Sequence, residues 1–218
     1  MHPLEQVHAH LAAHRLAEAA ALLATLPAHD PAVLQARAAH AHLSGRPDEA
    51  VAHLQAAAAA VPGHPAPVLA LAQLLGTLGR HDEAEAQLQA LTHALPSSVD
   101  AWYMLGMTRY ARRDDAGALH AFERAHALAP AHPELQRALA EAHYALEQHA
   151  QAQPLYDALP GANTDPMLLL RRAQCRRRLG APAEARAIAR EGTTRHAGFA
   201  PLWQELGWVE EDLGDADA

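Results

Sequence analysis

The 218-residue chain has one cysteine, no lysine and few aromatic residues. Because Cys175 has no partner, an internal disulfide framework is excluded and a reducing compartment is favoured. No stretch reaches the roughly 18 apolar residues that a membrane-spanning helix needs, and the N-terminus lacks the apolar core of a signal peptide. The formal charge of −8 argues against nucleic acid as a partner, since phosphate binding requires a basic surface. These absences favour a soluble, cytoplasmic protein.

What the chain does contain is a repeated pattern of small and apolar residues with a period of 34. A fixed period in this range is typical of stacked supersecondary units, none of which can bury its apolar face alone. Alanine is the most frequent residue and the best helix former, so the units are predicted to be helical. The pattern is most complete at Trp102, Leu105, Gly106, Ala118, Phe122, Ala125 and Pro130, and its second half recurs at Ala84, Leu88, Leu91 and Pro96 and at Ala50, Leu54, Ala57 and Pro62.

The spacings W-x2-L-G and A-x3-F, followed by a closing proline, resemble the tetratricopeptide repeat family. This resemblance implies an all-α, right-handed α-solenoid of stacked helix-turn-helix repeats, with about six repeats and a final helix. It also implies an interaction scaffold that binds a peptide or a partner protein in a concave groove lined by the first helix of each repeat. The resemblance does not identify the partner, because a fold hosts many functions.

The period divides the chain into units of one solenoid domain, 1–218. These units are 1–30, which is degenerate, then 31–64, 65–98, 99–132, 133–165, 166–199 and the half unit 200–218. Each first helix is predicted to end at a glycine-centred turn, as at Gly45, Gly79 and Gly180, and each second helix to stop at a proline. Pro27 and Pro160 come early, so two second helices should be a turn shorter. The expected result is about thirteen helices and no strands.

Two repeat positions carry predictions about packing. Alanines at the eighth and twentieth positions, such as Ala72 and Ala84, are expected to face each other across a helix pair. Arg37 and Arg172 occupy the seventh position, where leucine is usual in the family, and Arg109 occupies the eleventh, where tyrosine is usual. The stems of Arg37 and Arg172 are expected to lie on apolar surface while their guanidinium groups reach water.

The candidate binding site follows from the groove-facing positions that the resemblance implies, which are the second, fifth, sixth, ninth, twelfth and thirteenth of each unit. In 31–98 these positions carry mostly small or neutral residues, and from residue 99 they carry aromatic, methionine and arginine residues, which are enriched at binding hot spots. The candidate ligand-binding residues are Tyr103, Met107, Tyr110, Arg137, Glu141, Tyr144, Arg171, Gln174, Arg177, Arg178 and Trp208. The arginines predict an acidic segment in the partner, because guanidinium groups bind carboxylates bidentately. The alternative is a solvated basic face with ordinary packing between repeats.

No pattern in the chain indicates a metal, a cofactor or an active site. His10 and His14 lie four apart on a predicted helix, but zinc sites need three or four converging ligands. Cys175 is predicted to be a buried, inert thiol at a core-facing position, although neighbouring arginines favour a thiolate. No phosphate-binding glycine loop or nucleophile motif is present. We therefore expect no cofactor, no metal and no catalysis within these residues.

A second hypothesis comes from the C-terminus. Leu213, Gly214 and Asp215 resemble the turn that introduces a second helix elsewhere, which favours a chain that continues beyond residue 218. Bacterial proteins with similar arrays often continue into aspartyl/asparaginyl hydroxylase, sulfotransferase or glycosyltransferase domains. The alternative function is therefore the N-terminal substrate-recruitment domain of a longer enzyme.

Overall fold

The structure, a computed structural model, describes residues 2–216, with side chains described as far as Gly214. Within this range the chain forms thirteen α-helices and no β-strand, which confirms the all-α prediction. The helices are α1 (Pro3–Ala12), α2 (Leu16–Thr25), α3 (Pro31–Leu43), α4 (Pro47–Ala60), α5 (Pro65–Thr77), α6 (His81–Ala94), α7 (Val99–Ala111), α8 (Asp115–Leu128), α9 (Pro133–Ala145), α10 (His149–Ala158), α11 (Pro166–Arg178), α12 (Pro182–Arg195) and α13 (Ala200–Ala216). None of these helices is both long and apolar enough to cross a bilayer.

The helices belong to two compact units, of which the first ends at Arg113 and the second begins at Asp114. In the first unit α1–α2, α3–α4 and α5–α6 are helical hairpins, and α7 packs on α5 and α6. In the second unit α9–α10 and α11–α12 are hairpins, α8 packs on α9, and α13 packs on α11 and α12. Isolated helices of this length are marginal in water, so these contacts supply the stability of each unit.

Small residues allow the two helices of each hairpin to approach closely. Alanine stands at the eighth and twentieth positions of four hairpins, and all eight side chains are buried. They are Ala38 and Ala50, Ala72 and Ala84, Ala140 and Ala152, and Ala173 and Ala185. A larger residue would overpack these contacts at a cost of about 1–3 kcal/mol.

One residue in the turn after each first helix has a left-handed backbone. It is glycine at Gly45, Gly79 and Gly180, with φ of 73°, 71° and 75°, and a non-glycine residue at His14, Arg113 and Glu147, with φ of 54°, 64° and 58°. The predicted glycine-centred turns are confirmed at Gly45, Gly79 and Gly180, whereas the other three turns use a non-glycine residue. Because α1 ends at Ala12, His14 lies beyond the helix, and the expectation that it shares a helical face with His10 is wrong.

Replacing Glu147 with glycine should stabilise the chain, because a side chain in the left-handed region costs about 1 kcal/mol that glycine avoids. The reverse change, Gly180→Ala, should destabilise it by a similar amount, since a Cβ at Gly180 meets no atom within 4 Å and only the backbone strain remains. Urea unfolding of both variants measures the two effects. Equal stability of either variant and the parent chain would contradict this account of the turn.

Two second helices are shorter than the rest. Helices α2 and α10 have 10 residues, whereas α4, α6, α8 and α12 have 14, which confirms the prediction from Pro27 and Pro160. The loop between α10 and α11 spans 159–165 and ends at Asp165, whose Oδ1 accepts hydrogen bonds from the N–H groups of Met167 and Leu168. This carboxylate therefore caps the start of α11.

The two arginines at the seventh position follow these two short helices. Arg37 donates from Nη2 to the carbonyl oxygen of Leu23 at 3.1 Å. Arg172 donates to Asp157 Oδ1 at 2.5 Å and to the carbonyl oxygen of Ala162 at 2.9 Å. Each guanidinium group is partly exposed and binds acceptors of the chain itself. Arg37 binds a carbonyl oxygen in the last turn of α2, and Arg172 binds a side chain of α10 and a carbonyl oxygen of the loop that follows it.

The arginine at the eleventh position also has a specific partner within the first unit. Arg109 Nε lies 2.9 Å from Glu85 Oε1, and the Glu85 side chain is only 11% exposed. Arg112 pairs with the same carboxylate and, at 2.8 Å, with Asp82. The arginine that stands here in place of the family's usual tyrosine thus pairs with a carboxylate on the preceding helix, α6.

Helix α13 differs from its expected form. It runs from Ala200 to Ala216 and passes through Gly214 without a turn, so the predicted second-helix turn at 213–215 is wrong. A glycine inside a helix costs only about 1 kcal/mol relative to alanine. A single glycine therefore ends a helix only where a turn at that point stabilises the chain by more than this cost.

Candidate functional site

The groove-facing positions of the first unit surround an open pocket of about 440 Å³. The walls come mainly from the first helices α1, α3 and α5, and no arginine, aspartate or glutamate lies among them. The lining residues are His8, Gln35, Ala36, Ala38, Ala39, His42, Leu54, Ala70, Gln73, Leu74 and Thr77. This volume is in the range of small-ligand sites, although the groove-facing positions of 31–98 carry mostly small or neutral residues, which did not suggest a binding site.

A second pocket, of about 230 Å³, follows on the same face between α5 and α7. It is lined by Ala72, Gln73, Gly76, His81, Met104, Met107, Thr108 and Ala111. Gln73 lines both pockets and therefore forms the ridge between them. Of the candidate residues, only Met107 lies in this pocket.

Two candidate residues of α7 are exposed apolar side chains. Met107 is 46% exposed and Tyr110 is 36% exposed. The third candidate in this helix, Tyr103, is half-buried. Large apolar side chains left in solvent on one helical face are the type of surface that binds other proteins.

In the second unit, four candidate residues form one hydrogen-bonded cluster. Arg171 binds Glu141 through both carboxylate oxygens, at 3.2 Å and 3.0 Å. Its guanidinium carbon lies 4.4 Å from the centre of the Tyr144 ring, and Gln174 Oε1 accepts from both Arg171 and the Tyr144 hydroxyl, at 3.2 Å and 2.9 Å. Burial raises the pKa of Tyr144, so its hydroxyl stays a neutral donor.

A second pair of candidates joins α11 to α13. Arg177 Nε lies 2.7 Å from Glu205 Oε1 and its Nη1 lies 3.5 Å from Asp212. Glu205 is fully buried, and its Oε2 has no hydrogen-bond partner among the described residues. The guanidinium group also stacks 5.4 Å from the ring of Trp208, which is 41% exposed. Sequence analysis did not identify Glu205, because no local pattern marks a buried carboxylate that binds an arginine 28 residues away.

The last two candidates lie near the ends of the first helices. Arg137 is exposed and forms a 3.4 Å ion pair with Asp165. Arg178 is exposed and forms no ion pair with any described residue. Burial, together with the charge of Arg178, lowers the pKa of His149, whose ring lies 5.2 Å from that of Tyr144. The arginines of this face are therefore balanced by carboxylates of the chain itself, except at Arg178.

The thiol of Cys175 is fully buried, as predicted. Burial raises the pKa of this thiol to about 12, so the reactive thiolate is scarce near neutral pH. Among the described residues, no group of three or more His, Cys, Asp or Glu side chains converges as metal ligands would.

The repeated hairpins and their side-chain pockets define an α-helical repeat protein. A model of the tetratricopeptide repeat matches residues 41–107 and 110–168, which is more than half of the chain. The chain belongs to the tetratricopeptide repeat family, whose fold is a scaffold for protein interactions. No curated protein matches the chain.

Several solved structures share this fold at low sequence identity. A structure described as a functional characterization of Pseudomonas aeruginosa pilF has a TM-score of 0.71 and 16% identity, with 93% of this chain and 94% of that chain covered. A tetratricopeptide repeat protein from Parabacteroides merdae has a TM-score of 0.69 and 17% identity over 99% of this chain and 87% of that one. YrrB, described as a TPR protein with an unusual peptide-binding site, has a TM-score of 0.64 and 21% identity over 72% of this chain and 81% of that chain. At these identities the likeness concerns the fold alone.

Proposed function

We propose that this protein is an interaction scaffold that binds a peptide or a partner protein along the groove formed by its first helices. The observation that carries this proposal is the exposure of Met107, Tyr110 and Trp208 at groove-facing positions. Exposed aromatic side chains are enriched at binding hot spots, and flexible methionine side chains adapt to the shape of a partner. The solved structure of YrrB, whose description names a peptide-binding site, offers a precedent on the same fold.

The polar cluster of the second unit supports this role by presenting a fixed surface. Arg171 is held by Glu141, Tyr144 and Gln174 together. A guanidinium group held in this way loses little side-chain entropy when a partner binds. The remaining candidates, Tyr103 and Arg137, extend the contact surface on α7 and α9.

An acidic segment in the partner remains part of the proposal, although the ion pairs change how it would bind. The exposed Arg178 would bind a carboxylate directly. At Arg171 a partner carboxylate would have to exchange with Glu141. Nothing in the composition of this face suits nucleic acid, because the arginines that a phosphate would need are mostly paired within the chain.

The test is affinity capture from the source cell with the whole chain and with matched variants. Tyr110→Ala/Trp208→Ala should reduce recovery of the partner about tenfold, because it removes two exposed anchors; thermal unfolding of the variant checks that it remains folded. Leu128→Ala/Leu179→Ala is the control, since these leucines are equally exposed, at 40% and 45%, but lie off the groove. Quantitative mass spectrometry of the captured proteins gives the ratio.

The same experiment includes two charge variants. With an acidic partner, Glu141→Gln should raise recovery because it frees Arg171, and Arg178→Gln should lower it. A protein captured equally by the parent chain and the groove variant, or no captured protein at all, would refute the proposed function. If neither charge variant changes recovery, the proposed acidic segment of the partner is refuted, whereas the proposed scaffold function stands.

A further inference from the structure

We propose that the two pockets of the first unit bind an extended, uncharged peptide segment that carries two apolar side chains three residues apart, with Gln73 binding the peptide backbone between them. This inference rests on the proposed function and names the class of segment that the α1–α7 end of the groove accepts.

The chemistry of the lining selects an uncharged segment. The two pockets are lined by alanine, leucine, methionine, glutamine, histidine, threonine and one glycine, without an arginine, aspartate or glutamate. A charged side chain inserted there would lose hydration and find no opposite charge, which is costly. An apolar side chain would instead gain burial worth about 1.5–3 kcal/mol.

The spacing of the pockets sets the spacing of the anchors. They are one repeat apart, since the first lies across α3 and α5 and the second across α5 and α7. Packed helices are about 8–10 Å apart. An extended chain of the polyproline II type advances about 3.1 Å per residue with three residues per turn. Two side chains three residues apart on such a chain point the same way, about 9 Å apart, and therefore reach successive pockets.

Gln73 is placed to bind the backbone that crosses between the pockets. It lines both of them and is exposed. Its amide makes no hydrogen bond with a described residue, so the carbonyl and the NH₂ group remain available. A primary amide carries both a donor and an acceptor and can thus pair with the N–H and C=O of one peptide residue.

Gly76 gives an independent indication that space is kept free here. It lies in the last turn of α5, where glycine is a poorer helix former than alanine, and a Cβ at this position would meet no atom within 4 Å. Packing therefore does not require a glycine. The equivalent positions of the next two repeats carry Tyr110 and Tyr144, whose rings would fill the pocket that Gly76 leaves open.

The test titrates the whole chain with three capped peptides of glycine and serine, followed by NMR or fluorescence anisotropy. One peptide carries two leucines three residues apart, the second carries them two apart, and the third has glutamates in place of the leucines. We expect the first to bind at least about tenfold more tightly than the others. Equal binding of all three, or no binding of the first, overturns the proposal.

Variants of the pockets separate binding from folding. Gly76→Leu and Ala39→Leu should each weaken the first peptide about tenfold. Gly76→Leu should leave the melting temperature equal or higher, because leucine is a better helix former than glycine and a Cβ at this position meets no atom within 4 Å. Ala52→Leu, exposed on α4 and outside both pockets, is the control and should bind as the parent does. Undiminished binding by both pocket variants overturns the proposal.

The outcomes also separate this inference from the proposed function. A cellular partner that is lost with Tyr110→Ala/Trp208→Ala but retained by Gly76→Leu leaves the scaffold and refutes the pocket assignment. If the first peptide binds and both Gly76→Leu and Ala39→Leu weaken it, but no cellular partner is captured, the pocket assignment is supported and the proposed scaffold function is refuted.

Discussion

Replacing Arg172 with leucine, the residue that the repeat usually carries at this position, will destabilise the chain by about 3 kcal/mol. The guanidinium group binds Asp157, the carbonyl oxygen of Ala162 and Asn163 Oδ1 at once. Leucine supplies none of these bonds and leaves their acceptors without this partner. The midpoint of thermal unfolding should fall by roughly 10 °C.

The matched control for this prediction is the same position one repeat earlier. Leu139 follows the full-length helix α8 and is 6% exposed. Leu139→Arg should destabilise the chain, because no missing turn leaves room for the longer side chain. If Arg172→Leu is as stable as the parent, the explanation of the seventh position by helix length is wrong.

Replacing Arg177 with methionine will have the second large effect. This change leaves the fully buried carboxylate of Glu205 without its partner at 2.7 Å. Breaking a buried ion pair from one side costs about 3–5 kcal/mol, whereas replacing both partners with apolar residues is often neutral. Arg177→Met/Glu205→Leu should therefore recover most of the lost stability.

A double-mutant cycle of these variants, with unfolding by urea, measures the coupling between the two residues. We expect a coupling free energy above about 2 kcal/mol. Arg177 also stacks on Trp208, so Trp208→Ala is measured in parallel to separate the stacking from the ion pair. Additive effects of the two single substitutions would contradict the assignment of Glu205 as a buried partner.

The repeat architecture was predictable because it depends on residues close together in sequence. Glycine in the turn, proline after the second helix and alanine at the close contacts each act within one hairpin, so a period of 34 reveals them directly. Even the short helices α2 and α10 were predictable, since Pro27 and Pro160 closely follow their last residues, Thr25 and Ala158, and a proline there does not continue the helix. The prediction was wrong at Gly214, because a glycine that indicates a turn elsewhere in the chain lies inside α13 here.

The candidate site was less predictable, because its properties depend on partners in other repeats. The arginines of α11 suggested free positive charge, yet Arg171 is bound by a glutamate 30 residues away and Arg177 by one 28 residues away. The pockets of the first unit were overlooked because small residues carry no chemical signal of their own. They became visible only as the space between three helices.

The sequence by itself determined the helices, the turns between them and the family, since these follow from local conformational preference repeated at a fixed interval. Only the tertiary structure decided which charges are neutralised, which side chains remain exposed and where open volume lies. The physical reason is that electrostatic pairing and cavity shape depend on distances across the packed helices, and such distances are set by the fold as a whole.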